Sequence, residues 1–273
     1  MTVAVITDST AALPRELAAE LGVTVVPIIF TVDGVETPEG SMDTEALLRA
    51  HVSTAAPPPG AFAAAVAGAD SPDGVVIVTV SAELSSTHQS AVLASRLGGD
   101  AVEVIDSGSS AGGQALVVAA AARMAATGAD VTTVAATARR VADRVRLLGV
   151  LGGLAQLART GRIPSLAGWA GDRLGMKPMF EIDHGRITRL MPARGVDAAH
   201  DRVMSAWRAT RPDADTPLHV AAVHAEAPEA AQRLLDAVSA EHAPTTAMIG
   251  EFGQAMIAAS GVGVSGLAWW WDD

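Results

Sequence analysis

Residues 5–14 read VITDSTAALP, and this junction sets the architecture of the chain. The apolar run Val3-Ala4-Val5-Ile6 stops at Thr7-Asp8-Ser9-Thr10, and helical periodicity follows from Pro14. A short apolar run, a polar junction and then a helix is the opening of a parallel α/β unit, and the same order recurs through the first half. Strands are expected at Val3–Thr7, Val23–Thr31, Gly74–Val80, Ala101–Ile105 and Leu147–Leu151. Helices are expected near Arg15–Leu21, Thr44–Val52, Gly60–Ala67, Thr87–Leu97, Gly112–Thr127 and Val131–Val145. Gly22, Gly98 and Gly128 stand at helix ends, where a residue without Cβ closes the last turn.

The second half reads differently. KPMFEIDHGRITRLMPARG, residues 177–195, holds two extended runs around Asp183-His184-Gly185, a hairpin signal in which Gly185 supplies positive φ. A helix at Val196–Thr210, a strand at Leu218–His224, a helix at Pro228–Ala240, a strand at Thr246–Phe252 and a final run Gly266–Trp271 complete a mixed unit. The fold class is therefore α/β, with an N-terminal parallel-sheet, Rossmann-like domain and a C-terminal mixed-sheet domain. LARTGRIPS, beginning at Leu157, combines Gly, Pro and charge. It places the boundary so that residues 1–160 form the first domain and 161–273 the second.

Composition narrows the function classes. The 273 residues carry 19 Lys plus Arg against 30 Asp plus Glu, a net charge of −11, with no basic run. Nucleic acid is not an expected partner, because phosphate binding needs clustered cations. There is no cysteine, which removes disulfides, thiolate nucleophiles and Cys-based metal sites and fits a reducing cytoplasm. The N-terminus lacks the pattern of a signal peptide, and the apolar stretches Ala115–Ala126 and Ala255–Trp271 are too interrupted to span a bilayer. No P-loop, dinucleotide fingerprint or HExxH is present, so neither cofactor nor metal is expected.

In an open parallel sheet, ligands collect beyond the carboxyl ends of the strands. Three such ends are dense in hydroxyls: Asp8-Ser9-Thr10, SAELSSTHQS (81–90) and DSGSSAGG (106–113). They should converge at one edge. The second runs into a helix whose free N–H groups would lie beside Ser85, Ser86 and Thr87 and attract an anion. None of the three loops contains Lys or Arg, which disfavours a di- or triphosphate and suits one carboxylate. Ser, Thr and Asp in these places also cap helices, and for any single loop capping alone is a sufficient account.

GSSAG at 108–112 matches G-x-S-x-G, the nucleophile elbow of α/β-hydrolases, with Ser110 as nucleophile. Asp106-Ser107 intervene between strand and first glycine, and no oxyanion segment precedes it. A serine hydrolase is thus the alternative from another class.

Taken in order, these segments resemble the DegV (EDD-fold) family of bacterial fatty-acid-binding proteins. ITDSTAALP is similar to its opening motif, TAAPPPGAF (54–62) to its TSQPSPGEF-like segment, and SAELSSTHQSA (81–91) to its SSxLSGTYQSA. VIDSGSSAGG (104–113) resembles its VIDS loop, and LAQLARTGRI (154–163) the LxxLxxxGRI stretch that opens its second domain. The resemblance implies a buried long-chain fatty acid whose carboxylate is held by Thr54 and Ser85. It further implies presentation of that acid to a separate fatty acid kinase, with no catalysis by the chain itself and at most transient membrane contact. Asp8, Ser9, Thr10, Ser86, Thr87, Ser107, Arg162 and Ser260 would shape the pocket edge.

The departures are specific. The Ser and Gln after the family's Thr are Ala55 and Ala56 here, its second Ser is Pro58, and its SGT is Ser85-Ser86-Thr87. Its C-terminal HxGPG segment is AASGVGVSG (258–266), leaving Ala259 or Ser260 where a carboxylate-binding His stands. A diverged member that has lost its ligand is a further alternative. Arg162 and Arg194 occupy basic positions that face either the membrane or the kinase, or are ordinary surface charge.

Overall fold

The computed structural model describes residues 3–37, 41–96, 101–154, 156, 175–212 and 215–272. In chain order its elements are β1 (Ala4–Asp8), α1 (Arg15–Glu20), β2 (Val23–Val26), β3 (Ile29–Val32), β4 (Val35–Glu36), α2 (Thr44–Arg49), β5 (Val52–Ala55), α3 (Pro59–Ala69), β6 (Val75–Thr79), α4 (Thr87–Ser95), β7 (Val102–Asp106), α5 (Ala111–Ala126) and α6 (Val131–Ala142). They continue as β8 (Arg146–Val150), β9 (Met176–Asp183), β10 (Arg186–Arg194), α7 (Gly195–Ala209), β11 (Leu218–His224), α8 (Pro228–Glu241), β12 (Thr246–Glu251), α9 (Gln254–Ser260) and β13 (Ser265–Trp271). Two compact units result: Met1–Ile28 with Ala55–Val145 and Asp183–Arg186, and Ile29–Thr54 with Arg146–Ile182 and Ile187–Asp273.

The first unit is built on a four-stranded sheet of order β2-β1-β6-β7, parallel throughout. β6, VVIVT, is buried at every position, as a central parallel strand covered on both faces must be. One face packs Ile6, Val26, Val75 and Ile77 against Phe62, Ala91 and Ala94 of α3 and α4. α5 buries twelve of its sixteen residues, while α6 is amphipathic and buries Val134, Ala135, Ala138 and Val141 as one stripe. Asp130 starts α6 by accepting the Thr133 N–H at 2.8 Å.

The second unit carries a six-stranded mixed sheet of order β10-β9-β8-β13-β11-β12 and a small sheet of order β4-β3-β5. β11 and β12 are parallel, and β13 runs antiparallel to both β11 and β8. On one face of the large sheet, Leu218, Val220, Leu267, Trp269 and Trp271 meet Val203, Trp207, Ala231 and Leu234 of α7 and α8. The parallel sheet followed by a mixed one is the predicted fold class.

Three local expectations change. The single strand expected at Val23–Thr31 is two, β2 and β3, in different sheets, with Pro27 between them. Proline has no N–H for a ladder, so the run cannot continue as one strand. The helix expected to reach Val52 stops at Arg49, and Val52 begins β5. The boundary expected at residue 160 moves to 145/146, and residues 29–54 join the second unit. The reason is pairing: β8 reads as a strand of either sheet, but bonds to β13 and β9 rather than to the parallel sheet. Residues 157–164, where the linker was read, lie outside the described residues. No helix among the described residues is long and apolar enough to cross a membrane.

Candidate functional site

In the first unit the three polar strand ends do converge, and hydrogen bonds join them. Asp8 Oδ2, at the end of β1, accepts the Val80 N–H at 2.9 Å, tying the loop after β1 to the loop after β6. That loop is tied to the one after β7 in turn: Ser81 N–H donates to Ser109 O at 2.8 Å, and Ala82 N–H to Asp106 Oδ2 at 3.1 Å. Residues 183–186 complete this edge, with Gly185 N–H donating to Gly108 O at 2.6 Å. Gly185 has φ +78°, and a Cβ there would meet Ser81 Oγ at 2.3 Å. No other residue type fits so close an approach in that conformation.

Asp8 is the centre of the edge. It is fully buried and caps the short turn Ser9–Ala11 by accepting Thr10 N–H at 3.0 Å. Gln114 Nε2 donates to Asp8 Oδ2 and to Thr7 Oγ1, both at 3.1 Å, while Gln114 Oε1 accepts from Thr10 Oγ1 at 2.9 Å. Burial pushes the Asp8 carboxyl above its usual range, against the hydrogen bonds from Thr10, Val80 and Gln114. Ser9 has a supporting role, its Oγ accepting the Ile28 N–H at 3.0 Å.

Ser85 is half-buried in the loop before α4. Its Oγ accepts the Thr87 N–H at 3.2 Å and lies 2.8 Å from Thr87 Oγ1, so this hydroxyl, rather than that of Ser86, serves the helix start. Ser86 occupies the cap position without a side-chain cap bond and is exposed, while Thr87 is buried. Ser107 is buried and spends its proton on Ser109 O at 3.1 Å.

The remaining expected residues belong to the second unit or lie outside the described residues. Thr54 is half-buried in β5 of the second unit. Ser260, at the end of α9, bonds Met256 O at 2.9 Å and Gly261 O at 3.2 Å. Arg162 lies outside the described residues, and Arg194 is exposed where β10 meets α7.

Ser110 lacks the geometry of a nucleophile elbow. Its backbone is extended, at φ −149° and ψ 172°, and the positive φ of the turn falls on Ala111 at +48°. Among the described residues, no histidine is hydrogen-bonded to it. Nor does any group of three or more His, Cys, Asp or Glu among those residues suit a metal ion.

Gln114 was not among the expected site residues, although a lone amide in the second turn of the apolar helix Ala111–Ala126 is a legible anomaly. Ser109 was missed as well. It is buried and its hydroxyl has no partner, and it fits only because Gly113, whose Cβ would come within 2.0 Å of Ser109 Oγ, has no side chain.

Comparison with known proteins agrees with the fold. A sequence model of the family described as "Uncharacterised protein, DegV family" matches residues 2–271. A DegV domain-containing protein of Mycobacterium bovis is 33% identical over 273 residues, covering 98% of this chain and 96% of the relative. One from Streptomyces coelicolor is 33% identical over 247 residues, 86% of this chain and 85% of the relative. Among solved structures, a DegV family protein of Thermus thermophilus described as fatty acid binding superimposes with a TM-score of 0.89. It is 26% identical, with 99% of this chain and 100% of that one covered. DegV of Bacillus subtilis, described as a fatty acid binding protein, gives 0.84 at 25% identity over 100% of both chains. With the model matched nearly end to end, the chain belongs to the DegV family.

Proposed function

We propose that the protein binds a long-chain fatty acid in the cytoplasm, burying the acyl chain and holding the carboxylate through the hydroxyls of Thr54 and Ser85, and presents it to a separate fatty acid kinase. The observation that carries this reading is the first unit's sheet edge: three joined loops, rich in hydroxyls and free of Lys and Arg, beside the start of α4. Neutral hydroxyls and helix N–H groups suit a single carboxylate and hold polyphosphates poorly. The two structural neighbours described as fatty acid binding supply the ligand class.

The energetics fit a carrier. Each charge-assisted bond to the carboxylate contributes about 1.5–3 kcal/mol. An acyl chain of some fourteen methylenes contributes roughly 11 kcal/mol gross at about 0.8 kcal/mol per CH₂, part of which offsets the cost of association. Affinity then comes mainly from the tail, and the head group fixes orientation while leaving release feasible.

Organic extraction of protein purified from a heterologous host should yield about one long-chain fatty acid per chain, identified by mass spectrometry. Ser85→Ala and Thr54→Ala should each weaken binding of added palmitate by about tenfold or more. An extract without fatty acid, together with no palmitate binding by the folded chain, would reject the reading. Kinase presentation is tested separately, by whether a bacterial fatty acid kinase makes acyl phosphate from the loaded protein and not from the Ser85→Ala form.

A further inference from the structure

We infer that Asp8 is carried as a neutral carboxylic acid, donating its proton to Thr10, and that it acts as the positioning residue of the hydroxyl-lined edge by setting the direction of that edge's hydrogen bonds and adding no fully buried charge to it. The argument is a count of protons. Thr7 Oγ1 lies 2.8 Å from the carbonyl of Val78, which can only accept, so the Thr7 hydroxyl donates there. Its proton spent, Thr7 must accept from the Gln114 side chain at 3.1 Å, which fixes the nitrogen of that amide on the Thr7 side. The same nitrogen faces Asp8 Oδ2. The oxygen of Gln114 therefore points at Thr10 Oγ1, 2.9 Å away, and Thr10 must donate to it. Thr10 has no second proton for Asp8 Oδ1, with which its hydroxyl is in close contact. The proton of that contact belongs to Asp8, and the chain runs Asp8 to Thr10 to Gln114 to Thr7 to Val78 with each link paired.

The surroundings agree. Val80 N–H and Gln114 Nε2 both donate to Oδ2, while Oδ1 takes the Thr10 N–H at 3.0 Å and is the oxygen that shares a proton with the Thr10 hydroxyl. No charged side chain stands on β1 itself, on the Ser9–Ala11 turn, on β2 or on β6, and the one charge on α5, Arg123, lies near its far end. On the adjoining elements, His88 Nδ1 is engaged with Thr79 Oγ1 at 3.0 Å and Asp106 with the N–H groups of Ala82 and Gly108, and Glu83, in the loop after β6, is exposed. Burial without a cation pushes a carboxyl's pKa up, and burial acts in that direction on Asp8.

The consequence for ligand binding rests on the fatty-acid reading above. An ionised Asp8 would place a buried negative charge at the edge proposed to receive a carboxylate, and its proton removes that charge. By linkage, a bound carboxylate should in turn hold the proton on Asp8 more tightly.

Carbon-13 NMR of the aspartate carboxyls in the full chain tests the assignment, with Asp8 identified by the signal lost in Asp8→Asn or, should that variant not fold, by correlation to its own backbone. At neutral pH the Asp8 carboxyl should resonate as a neutral acid while the exposed aspartates resonate as carboxylates, and Thr10→Val should lower its titration midpoint by removing the acceptor of its proton. A carboxylate signal at neutral pH, or a midpoint that rises in Thr10→Val, would overturn the proposal. Palmitate affinity of delipidated protein should fall several-fold as pH rises through the Asp8 midpoint, and a flat profile would overturn the charge-clearing role. If no palmitate binds at any pH, the fatty-acid reading fails while the carboxyl signal still decides the state of Asp8.

Discussion

The sheet edge of the first unit and the tryptophan core of the second are both buried, yet opposite kinds of interaction hold them. At the edge, Thr7, Asp8 and Gln114 are fully buried polar groups whose stability comes from directional bonds to one another and to the backbone. In the second unit, Trp207 and Trp269 are almost wholly removed from solvent and Trp271 stacks on Trp207 at 6.1 Å. Their hydrogen bonding is sparse: the indole N–H groups of Trp269 and Trp271 share the Thr210 hydroxyl at 2.8 and 3.3 Å, and that of Trp207 has no partner. The edge should be sensitive to chemistry at constant volume, and the core to volume at constant chemistry.

The sharpest way to break this contrast is in the core. Trp207→Ala should cost about 3–5 kcal/mol in urea unfolding, whereas Trp207→Phe, which loses no hydrogen bond, should cost well under half of that. Equal losses in the two variants would mean that the indole N–H matters after all. Next, Gln114→Leu keeps most of the volume at the edge but takes one hydrogen-bond partner from each of Thr7, Thr10 and Asp8 Oδ2, and should cost about 2–3 kcal/mol. A loss near zero would show that packing rather than polar pairing holds the edge. Thr210→Val removes the acceptor shared by two indoles and should cost about 1–1.5 kcal/mol, read by the same unfolding measurement.

The smallest effect is a pH dependence. His200 of α7 is buried, with Nε2 2.8 Å from Ser265 Oγ, and burial, then Arg233, hold its pKa below the ordinary value of 6.5. Since the unfolded chain then binds the proton more readily, His200's contribution to stability is complete above about 6.5 and declines as pH falls below it. Unfolding midpoints across mildly acidic pH should decline, and His200→Gln should make that decline shallower. An unchanged slope in the variant would assign the dependence to other groups.

Much of the fold was legible because its signals are local. The all-buried run of β6, the caps around α6 and the alternation of strand and helix follow from apolar period and turn chemistry in neighbouring residues. The errors arose where pairing, not pattern, decides. β8 reads as a strand of either sheet, and its partners β13 and β9 lie far along the chain. Residues 29–54 look like a continuation of the first domain, although they cluster with the second.

The candidate site divides in the same way. Asp8, Ser85 and Ser107 were recoverable as hydroxyl and carboxylate groups after strands, where chain direction puts them at one edge. Their hydrogen-bond partners were not, because those are chosen among groups that only the fold brings near. Ser260 spends its proton on its own helix, and Ser85 serves the start of α4. Gln114 is 106 residues from Asp8, and only the packing of α5 against β1 brings the two together.

Sequence alone set the parallel and mixed units, the family, the hydroxyl-rich strand ends without Lys or Arg and the absence of thiol chemistry, all of which depend on residue type and local order. Which sheet owns β8, and which oxygen at the edge carries a proton, depended on the folded chain. Strand pairing and hydrogen-bond direction are settled between groups distant in sequence, where no periodicity carries the information.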